Sequence, residues 1–273
     1  MKRVVALALA LCLFFSMTVS AVEVDSDVTD ALGIATECPE HPLSVKSLYD
    51  VYTYQALTGA SEITLTYKSW WARNLGNVIK LLIKSSYSSF YYGYPEYSMY
   101  TKLEAFSVTY GSDYVKFVLR FHDRDGCTYE DVGPSLETVK AIYDGLVEDG
   151  FISPDMSERD RALVLLKWVA ENLTYQNDGN LTCTTPAHGL ENGYGTCGTY
   201  TGIYNLLLRL DGIECHGRGG WAKEDGIRHV WTVADLDGVM VNIDATWCDK
   251  KDGTIDMQYF AQSDEAFAGT HVW

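Results

Sequence analysis

The residue in this sequence best placed for chemistry is Cys197, which lies between glycine-containing turns in the stretch YGTCGTY at residues 194–200. The segment after it carries apolar residues at the spacing of one helical face, namely Ile203, Leu206, Leu207 and Leu210. Cys197 is therefore predicted at the N-terminal end of a helix, where unpaired backbone N–H groups and the helix dipole favour a thiolate. A thiolate there can attack a carbonyl carbon if a base lies nearby.

A base and its partner are predicted in a hairpin further along the chain. Residues 228–236 and 239–246 have the composition of strands, and Asp237-Gly238 between them is a strong signal for a two-residue turn. With that turn, His229 and Asp244 become diagonal neighbours on one face, within side-chain reach. The carboxylate can then orient the imidazole and stabilise its cation. A three-residue loop would place the two side chains on opposite faces.

Each of these side chains also has an ordinary structural interpretation. Six cysteines follow residue 21, and an even number in an exported protein is typical of three disulfides, so Cys197 could be half of a bridge. His229 could be a packed strand residue, and Asp244 could simply end its strand. The rival bases are His188, His216 and His271. None of them combines a good strand with a carboxylate on the same predicted face.

The acidic residues near the hairpin are weighed as a calcium site. Asp237, Asp249 and Asp252 fit turn positions or a solvated rim better than a set of calcium ligands. The cysteines show no C-x-x-C pair and no zinc-finger spacing with histidine. We therefore predict no metal site and no cofactor, with calcium possible but unsupported.

The first 21 residues have the pattern of a secretory signal peptide. Lys2 and Arg3 precede an apolar stretch over residues 4–18, and Val19-Ser20-Ala21 forms a small-residue cleavage site. Removing them changes the formal charge from −16 to −18, which argues against nucleic acid and anionic membranes as partners. No later segment is apolar for long enough to span a bilayer. We expect a protein that is secreted or retained at the cell surface.

The elements that must position the site are predicted from periodicity. Strands are expected at residues 63–67, 103–110, 114–121 and 213–217, and helices at residues 71–83, from 133 onwards and from 157 onwards. A tyrosine-dense segment at residues 87–100 is interpreted as packing rather than a stacking surface for sugars or peptides. A polar loop at residues 176–196 is expected to deliver Cys197. We divide the chain into residues 1–21 (signal peptide), 22–133 (an α+β region of unknown role) and 134–273 (the domain with the site).

Taken together, these motifs resemble the transglutaminase-like superfamily of cysteine enzymes. The motifs in this sequence are YGTCGTY at 194–200, His229-Val230-Trp231, and Asp237-Gly238 leading to Asp244-Ala245-Thr246-Trp247. The resemblance covers roughly residues 155–273. It implies an α+β fold with a papain-like core, in which the nucleophile helix packs on an antiparallel sheet.

The resemblance also implies a role for each matching residue. Cys197 is the nucleophile, His229 the general base and acid, and Asp244 the residue that orients His229. The proline often found after the aspartate of the family is Ala245 here, and we expect little effect. The Cys197 backbone N–H is the expected first donor to an oxyanion. The second donor is left open between Tyr194 and Asn192.

The expected reaction is acyl transfer at a peptide or isopeptide amide through a thioester. Trp231 and Trp247 are expected to line the site and exclude water. If water resolves the thioester, the protein is a peptidase or amidase acting on protein or peptide, such as cell-wall or surface protein, and we favour this outcome. If a lysine amine resolves it, the protein is a protein-glutamine transglutaminase. A surface binding module that keeps the fold without catalysis is the other alternative, and in it Cys197 is unreactive or in a disulfide.

Overall fold

The computed structural model describes residues 25–34, 37–39, 44–68, 87–250 and 252–273. The predicted signal peptide and the helix predicted at residues 71–83 lie outside these ranges. Within them, no helix combines the length and the apolar character that crossing a membrane requires.

The front part of the described chain places helices against a small antiparallel sheet. Its elements are α1 (Ser26–Ala31), α2 (Val45–Thr58), β1 (Glu62–Lys68), α3 (Tyr87–Gly93), α4 (Pro95–Ser98), β2 (Thr101–Tyr110) and β3 (Tyr114–Asp123). The strand order is β1-β3-β2. The alternation predicted for β1 is confirmed, because Ile63, Leu65 and Tyr67 are buried on one face. The strands predicted at residues 103–110 and 114–121 are also confirmed.

The second part places the helix that begins at Cys197 on a second antiparallel sheet. Its helices are α5 (Val132–Glu148), α6 (Glu158–Asn172), α7 (Pro186–Asn192), α8 (Cys197–Leu210), α9 (Ala245–Cys248) and α10 (Asp264–Phe267). Its strands are β4 (Thr174–Tyr175), β5 (Tyr194–Gly195), β6 (Cys215–Ala222), β7 (Arg228–Leu236), β8 (Val239–Ile243) and β9 (His271–Val272). The four-stranded sheet has the order β8-β7-β6-β9, and α8 contacts both β6 and β7. The expected α+β fold with a helix packed on an antiparallel sheet is confirmed.

The hairpin of β7 and β8 has the predicted two-residue turn and the predicted register. Thr232 pairs with Ile243 and Leu236 pairs with Val239. Asp237 and Gly238 both have positive φ, at 55° and 83°, as a turn of this length requires. The second strand is shorter than predicted: it ends at Ile243, and residues 245–248 form α9 instead of continuing the strand.

The prediction of a polar loop over the whole of residues 176–196 is wrong, because the segment contains α7 and β5. The Thr185 side chain accepts a hydrogen bond from the His188 N–H, Pro186 occupies the first turn, and Gly193 ends the helix with φ 72°. A threonine cap, a proline in the first turn and a glycine after the last turn are local helix signals. The segment was nevertheless predicted as a loop, because its content of polar residues is high.

The hydrophobic core continues across the boundary predicted at residue 134. One cluster joins Leu48 and Phe90 of the front part to Leu165 and Tyr204 of the second part. The predicted division into two units stays a prediction, but the described residues on its two sides share this core.

Candidate active site

Cys197 is the first residue of α8, as its sequence position predicts. Its side chain is partly exposed and lines a cleft of about 260 Å³, together with His229. None of the six cysteines in the described ranges forms a disulfide, so the Cys197 thiol is unpaired. Burial raises the pKa of Cys127 to about 11 and of Cys215 to about 12, which keeps those thiols protonated.

Thr196, the residue before the cysteine, has a side-chain hydroxyl without a hydrogen-bond partner among the described residues. Thr196 is the N-cap of α8, yet its side chain makes no capping hydrogen bond. Its hydroxyl oxygen is buried, and Thr196 lines the same cleft as Cys197. Buried hydroxyls are normally hydrogen-bonded. An acceptor atom of a bound molecule would satisfy this one.

His229 lies in β7 beside Cys197, and its far ring nitrogen is held by Asp244. His229 Nε2 donates to Asp244 Oδ2 at 2.7 Å, and both side chains are buried. This bond leaves Nδ1 as the ring nitrogen available to the Cys197 thiol. A hydrogen bond between that thiol and the ring helps to raise the pKa of His229. The sulfur, the imidazole and the carboxylate therefore form one connected set.

Burial and charge act in opposite directions on this pair. Burial disfavours the imidazolium of His229, but the charge and hydrogen bond of Asp244, with a smaller effect of Cys197, raise its pKa to about 10. Burial likewise disfavours the carboxylate of Asp244, but His229 and then His271 outweigh this and lower its pKa to about 2. Charge attraction prevails over burial for both groups. The geometry therefore favours an imidazolium beside an ionised carboxylate.

Asp244 is fixed by the start of α9. Its Oδ1 accepts hydrogen bonds from the backbone N–H groups of Thr246 at 3.0 Å and Trp247 at 3.2 Å, which makes it the N-cap of that helix. Ala245 occupies the first position of α9, where proline is also tolerated because its N–H would have no partner within the helix. Alanine in place of proline therefore leaves the local geometry intact.

A second imidazole reaches Asp244 from β9. His271 Nε2 donates to Asp244 Oδ2 at 3.1 Å, and His271 is buried. In the sequence, His271 was a rival base that was set aside, because it did not combine a good strand with a carboxylate on the same predicted face. The structure shows that it shares the carboxylate of His229 instead of competing for the role of base.

The comparisons with known proteins match the part of the chain that contains these residues. Residues 133–248 match the family model of the Transglutaminase-like superfamily. The C-terminal half contains a transglutaminase-like domain. Cys197, His229 and Asp244 all lie within the matched residues.

Individual relatives are distant. The human protein named Kyphoscoliosis peptidase is 23% identical over 155 residues, which cover 52% of this chain and 23% of that protein. Among solved structures, a TGase shares 15% identity and a TM-score of 0.35, with 54% of this chain and 44% of the other covered. A Cytophaga hutchinsonii protein described as a candidate cysteine protease shares 15% identity and a TM-score of 0.35, with 59% and 71% covered.

Two clefts of the transglutaminase-like domain meet at His229. The first contains Cys197, and the second, of about 540 Å³, extends past Trp247 and Tyr259. Both are also lined by Tyr175 and Arg228. A long substrate lying across His229 could therefore occupy both clefts.

The front part of the chain supplies one wall of the cleft beside Cys197. Tyr91, Tyr92 and Met99 line it, and the Tyr92 hydroxyl accepts a hydrogen bond from Arg228 Nη1 at 2.8 Å. Other aromatic residues of the same segment, including Phe90, Tyr97 and Tyr100, are buried in the core. The tyrosine-dense segment thus packs as predicted and, through Tyr91 and Tyr92, also faces the cleft.

The three further residues predicted at the site occupy different positions. Trp247 lines the second cleft, with its ring centroid 5.4 Å from that of His229. Trp231 is fully buried behind His229, where its Nε1 donates to Asn242 Oδ1 at 3.0 Å. Tyr194 is not among the residues that line the Cys197 cleft, and its hydroxyl donates to Asp178 Oδ2 at 3.3 Å. The side chain of Tyr194 thus points to a partner outside the cleft.

The acidic residues weighed for calcium have separate local partners. Asp237 accepts hydrogen bonds from the backbone N–H groups at the start of α6, at 3.1 and 3.3 Å. Asp249 accepts from the Tyr200 hydroxyl at 2.7 Å, and Asp252 accepts from the N–H and hydroxyl of Thr254. These contacts are those of caps and turns. In the described ranges, the one group of side chains close enough to share a metal ion is His229, Asp244 and His271, and hydrogen bonds account for it fully.

Proposed function

We propose that this protein is a cysteine-dependent acyl-transfer enzyme that acts on peptide or isopeptide amide bonds. The observation that carries the proposal is the connected set of Cys197 at a helix start, His229 beside it and Asp244 behind His229. The match to the Transglutaminase-like superfamily supports it. The similarity to a relative named as a peptidase supports an amide as the bond that is attacked.

The reaction follows from these positions. His229, with its raised pKa, holds the proton of the Cys197 thiol as an imidazolium, and the thiolate sulfur attacks the amide carbonyl carbon. The backbone N–H of Cys197 and the hydroxyl of Thr196 are the donors that we assign to the resulting oxyanion. His229 then gives its proton to the departing amine, which leaves a thioester. Asp244 stabilises the imidazolium until its proton is transferred.

We favour water as the molecule that resolves the thioester. Both depressions beside His229 are open clefts and not enclosed cavities, so water has access to the acyl group. Hydrolysis returns the thiol and releases the acyl part as a carboxylic acid. Transfer to a lysine amine uses the same thioester, so a transglutaminase is the second outcome that the test must distinguish.

The test incubates a mixed peptide library with the protein, with and without the amine monodansylcadaverine, and reads products by mass spectrometry. Wild-type protein should shorten peptides, and Cys197→Ala should reduce the rate by at least about a thousandfold, as loss of a nucleophile does. Cys38→Ala is the matched control, since Cys38 is also partly exposed but does not line the cleft. Thr196→Val should slow the same reaction. Equal rates for wild type and Cys197→Ala would refute the proposal, and amine adducts without cleavage would indicate transglutamination.

Alkylation by iodoacetamide near neutral pH distinguishes the enzyme from a binding module. An activated Cys197 should be modified before the buried cysteines. A Cys197 that stays unmodified until the protein is unfolded would favour the module.

We further propose that the protein acts outside the cytoplasm, on peptide or protein at the cell wall or surface. The signal-peptide pattern of residues 1–21 supports this. Sequencing the N-terminus of the protein recovered from the growth medium tests it, and a start at residue 22 is expected. Recovery of the uncleaved chain from the cytoplasm alone would contradict it.

A further inference from the structure

We propose that His271 is a positioning residue of the active site, which holds the carboxylate of Asp244 in the orientation that His229 needs. The inference rests on the proposed function, because it assigns a role within the same reaction. His271 acts through Asp244 and not on the substrate, since it lines neither of the clefts that meet at His229.

The hydrogen bonds of Asp244 show what His271 adds. An ionised carboxylate offers about four acceptor positions. On Asp244, Oδ1 is occupied by two backbone N–H groups of α9, and Oδ2 is occupied by the imidazoles of His229 at 2.7 Å and His271 at 3.1 Å. With every position occupied, the carboxylate is held in one rotational state. Without His271, one of these restraints on Oδ2 is absent.

The other nitrogen of His271 also has a hydrogen-bond partner. Because Asp244 can only accept, His271 Nε2 carries a proton in this contact. His271 Nδ1 lies 2.9 Å from the Thr270 hydroxyl, whose single proton can go either to this nitrogen or to the Phe267 carbonyl at 3.3 Å. When the hydroxyl donates to Nδ1, a neutral imidazole satisfies both contacts of His271. His229 can then carry the positive charge of the reaction without a second cation on the same carboxylate.

The register of the four-stranded sheet places His271 on the same face as His229. His229 of β7 pairs with Gly220 of β6, and His271 of β9 pairs with Ala222 of β6. Gly220 and Ala222 are two residues apart, so both histidines lie on the same face of the sheet. The centroids of the two imidazoles are 5.6 Å apart. The ring of Phe267 stacks on His271 at a centroid distance of 4.0 Å and completes its pocket.

Two substitutions separate the hydrogen bond of His271 from its packing. His271→Phe keeps an aromatic ring against Phe267 but removes the donor to Asp244. His271→Gln loses the ring but keeps an N–H donor at a similar reach. The probe is p-nitrophenyl acetate, whose hydrolysis through Cys197 releases a coloured phenolate, and the rate of Cys197→Ala is subtracted as background.

We expect His271→Phe to lower kcat roughly ten- to a hundredfold, the usual cost of losing a partner that orients a reacting group. KM should stay within about twofold, because His271 does not contact the substrate. His271→Gln should retain kcat within a few-fold of wild type. The opposite order, with His271→Phe active and His271→Gln impaired, would mean that the residue only fills space and would overturn the inference.

A measurement without turnover keeps this result separate from the proposed function. Protein labelled with ¹⁵N at histidine should show two slowly exchanging imidazole N–H signals from the pair on Asp244, and His271→Phe should lose one of them. Loss of no signal would overturn the inference even in an active enzyme. If wild type and Cys197→Ala hydrolyse the probe equally, the proposed function fails, while the two signals still report whether His271 holds Asp244.

Discussion

At the scale of single residues, Asp244 combines two tasks that require different properties of one carboxylate. Its Oδ1 accepts backbone N–H groups and begins α9, which an asparagine could also do. Its Oδ2 accepts two imidazole N–H groups, and its charge raises the pKa of His229 to about 10. An asparagine would keep the first task and lose the second. The two tasks can therefore be separated by their dependence on pH.

The variant Asp244→Asn should lose stability in a pH-dependent manner. The pKa of His229 is raised, so its pairing stabilises the fold fully below about pH 6.5 and is lost as the pH rises toward about 10. The pKa of Asp244 is lowered, so the pairing is present above about pH 4 and is lost as the pH falls toward about 2. The difference in free energy of unfolding between wild type and variant should be largest between about pH 4 and about pH 6.5. We expect this difference to decrease by at least about 1 kcal/mol as the pH approaches about 10 or about 2.

Urea unfolding across this pH range measures the difference. Ser263→Ala is the control, because Ser263 caps α10 with an uncharged hydroxyl. Its cost of about 1 kcal/mol should be nearly constant with pH. A constant cost for Asp244→Asn as well would mean that Asp244 acts only as a helix cap.

At the scale of elements, β6 is the strand that brings the parts of the site together. Three of its residues are glycines, which strands usually avoid, and each lies where another element approaches closely. Tyr92 lies against Gly217 and Gly219, while the Val272 carbonyl and the Trp231 ring lie against Gly220. Side chains at these positions would force the cleft wall or β9 away from the sheet. The strand predicted at residues 213–217 is in the structure Cys215–Ala222, so it continues through all three glycines.

Gly220→Ala should therefore displace β9 and, with it, His271. A Cβ at position 220 would meet the Val272 carbonyl and would lie 2.8 Å from the Trp231 ring. We expect a loss of about 1–3 kcal/mol in the free energy of unfolding, together with lower activity on p-nitrophenyl acetate. Gly145→Ala is the matched control, since the added Cβ in α5 would have no atom within 4 Å apart from its chain neighbours and the backbone of its own helix. That control should be neutral or stabilising by up to about 1 kcal/mol in the same urea titration. Equal effects at the two positions would contradict this account of β6.

At the scale of the whole molecule, the front part of the chain is joined to α8, the helix that begins at Cys197, by a buried ion pair. Arg209 of α8 lies 3.1 Å from the Glu96 carboxylate, and the Glu96 side chain is 0% exposed. Asn205 of the same helix also donates to Glu96, at 3.4 Å. Because the hydrophobic core is continuous at this contact, we expect both parts to unfold in one transition.

Glu96→Ala should destabilise the whole molecule by about 3 kcal/mol, because it leaves the Arg209 guanidinium without its carboxylate in a largely buried place. Glu62→Ala is the control, since Glu62 forms an ion pair with Arg120 in which both side chains are about half exposed. That variant should cost less than about 1 kcal/mol. Unfolding followed by circular dichroism and by tryptophan fluorescence should show one shifted transition in Glu96→Ala. Similar costs for the two variants, or two separated transitions, would contradict this description.

Local patterns in the sequence predicted a large share of the fold and of the candidate site. The 3.6-residue period after Cys197 sufficed to place that residue at a helix start. The Asp237-Gly238 turn sufficed to define the register of β7 and β8, because a two-residue loop leaves one pairing. The start of α6 near residue 157 was also predicted, and in the structure the Ser157 hydroxyl accepts the Asp160 N–H there. In each case, the interacting residues are neighbours or are joined by a short turn.

The sequence by itself thus determined the position of the candidate nucleophile, the face that carries His229 and the family to which these motifs point. Tertiary structure alone decided which residues complete the site. His271 meets Asp244 across 27 residues, and Arg209 meets Glu96 across 113. Tyr92 reaches the cleft because β6 has glycines where it packs. The physical reason is that periodicity and turn chemistry report contacts over a few residues, whereas hydrogen bonds and packing between distant segments form only when the chain folds.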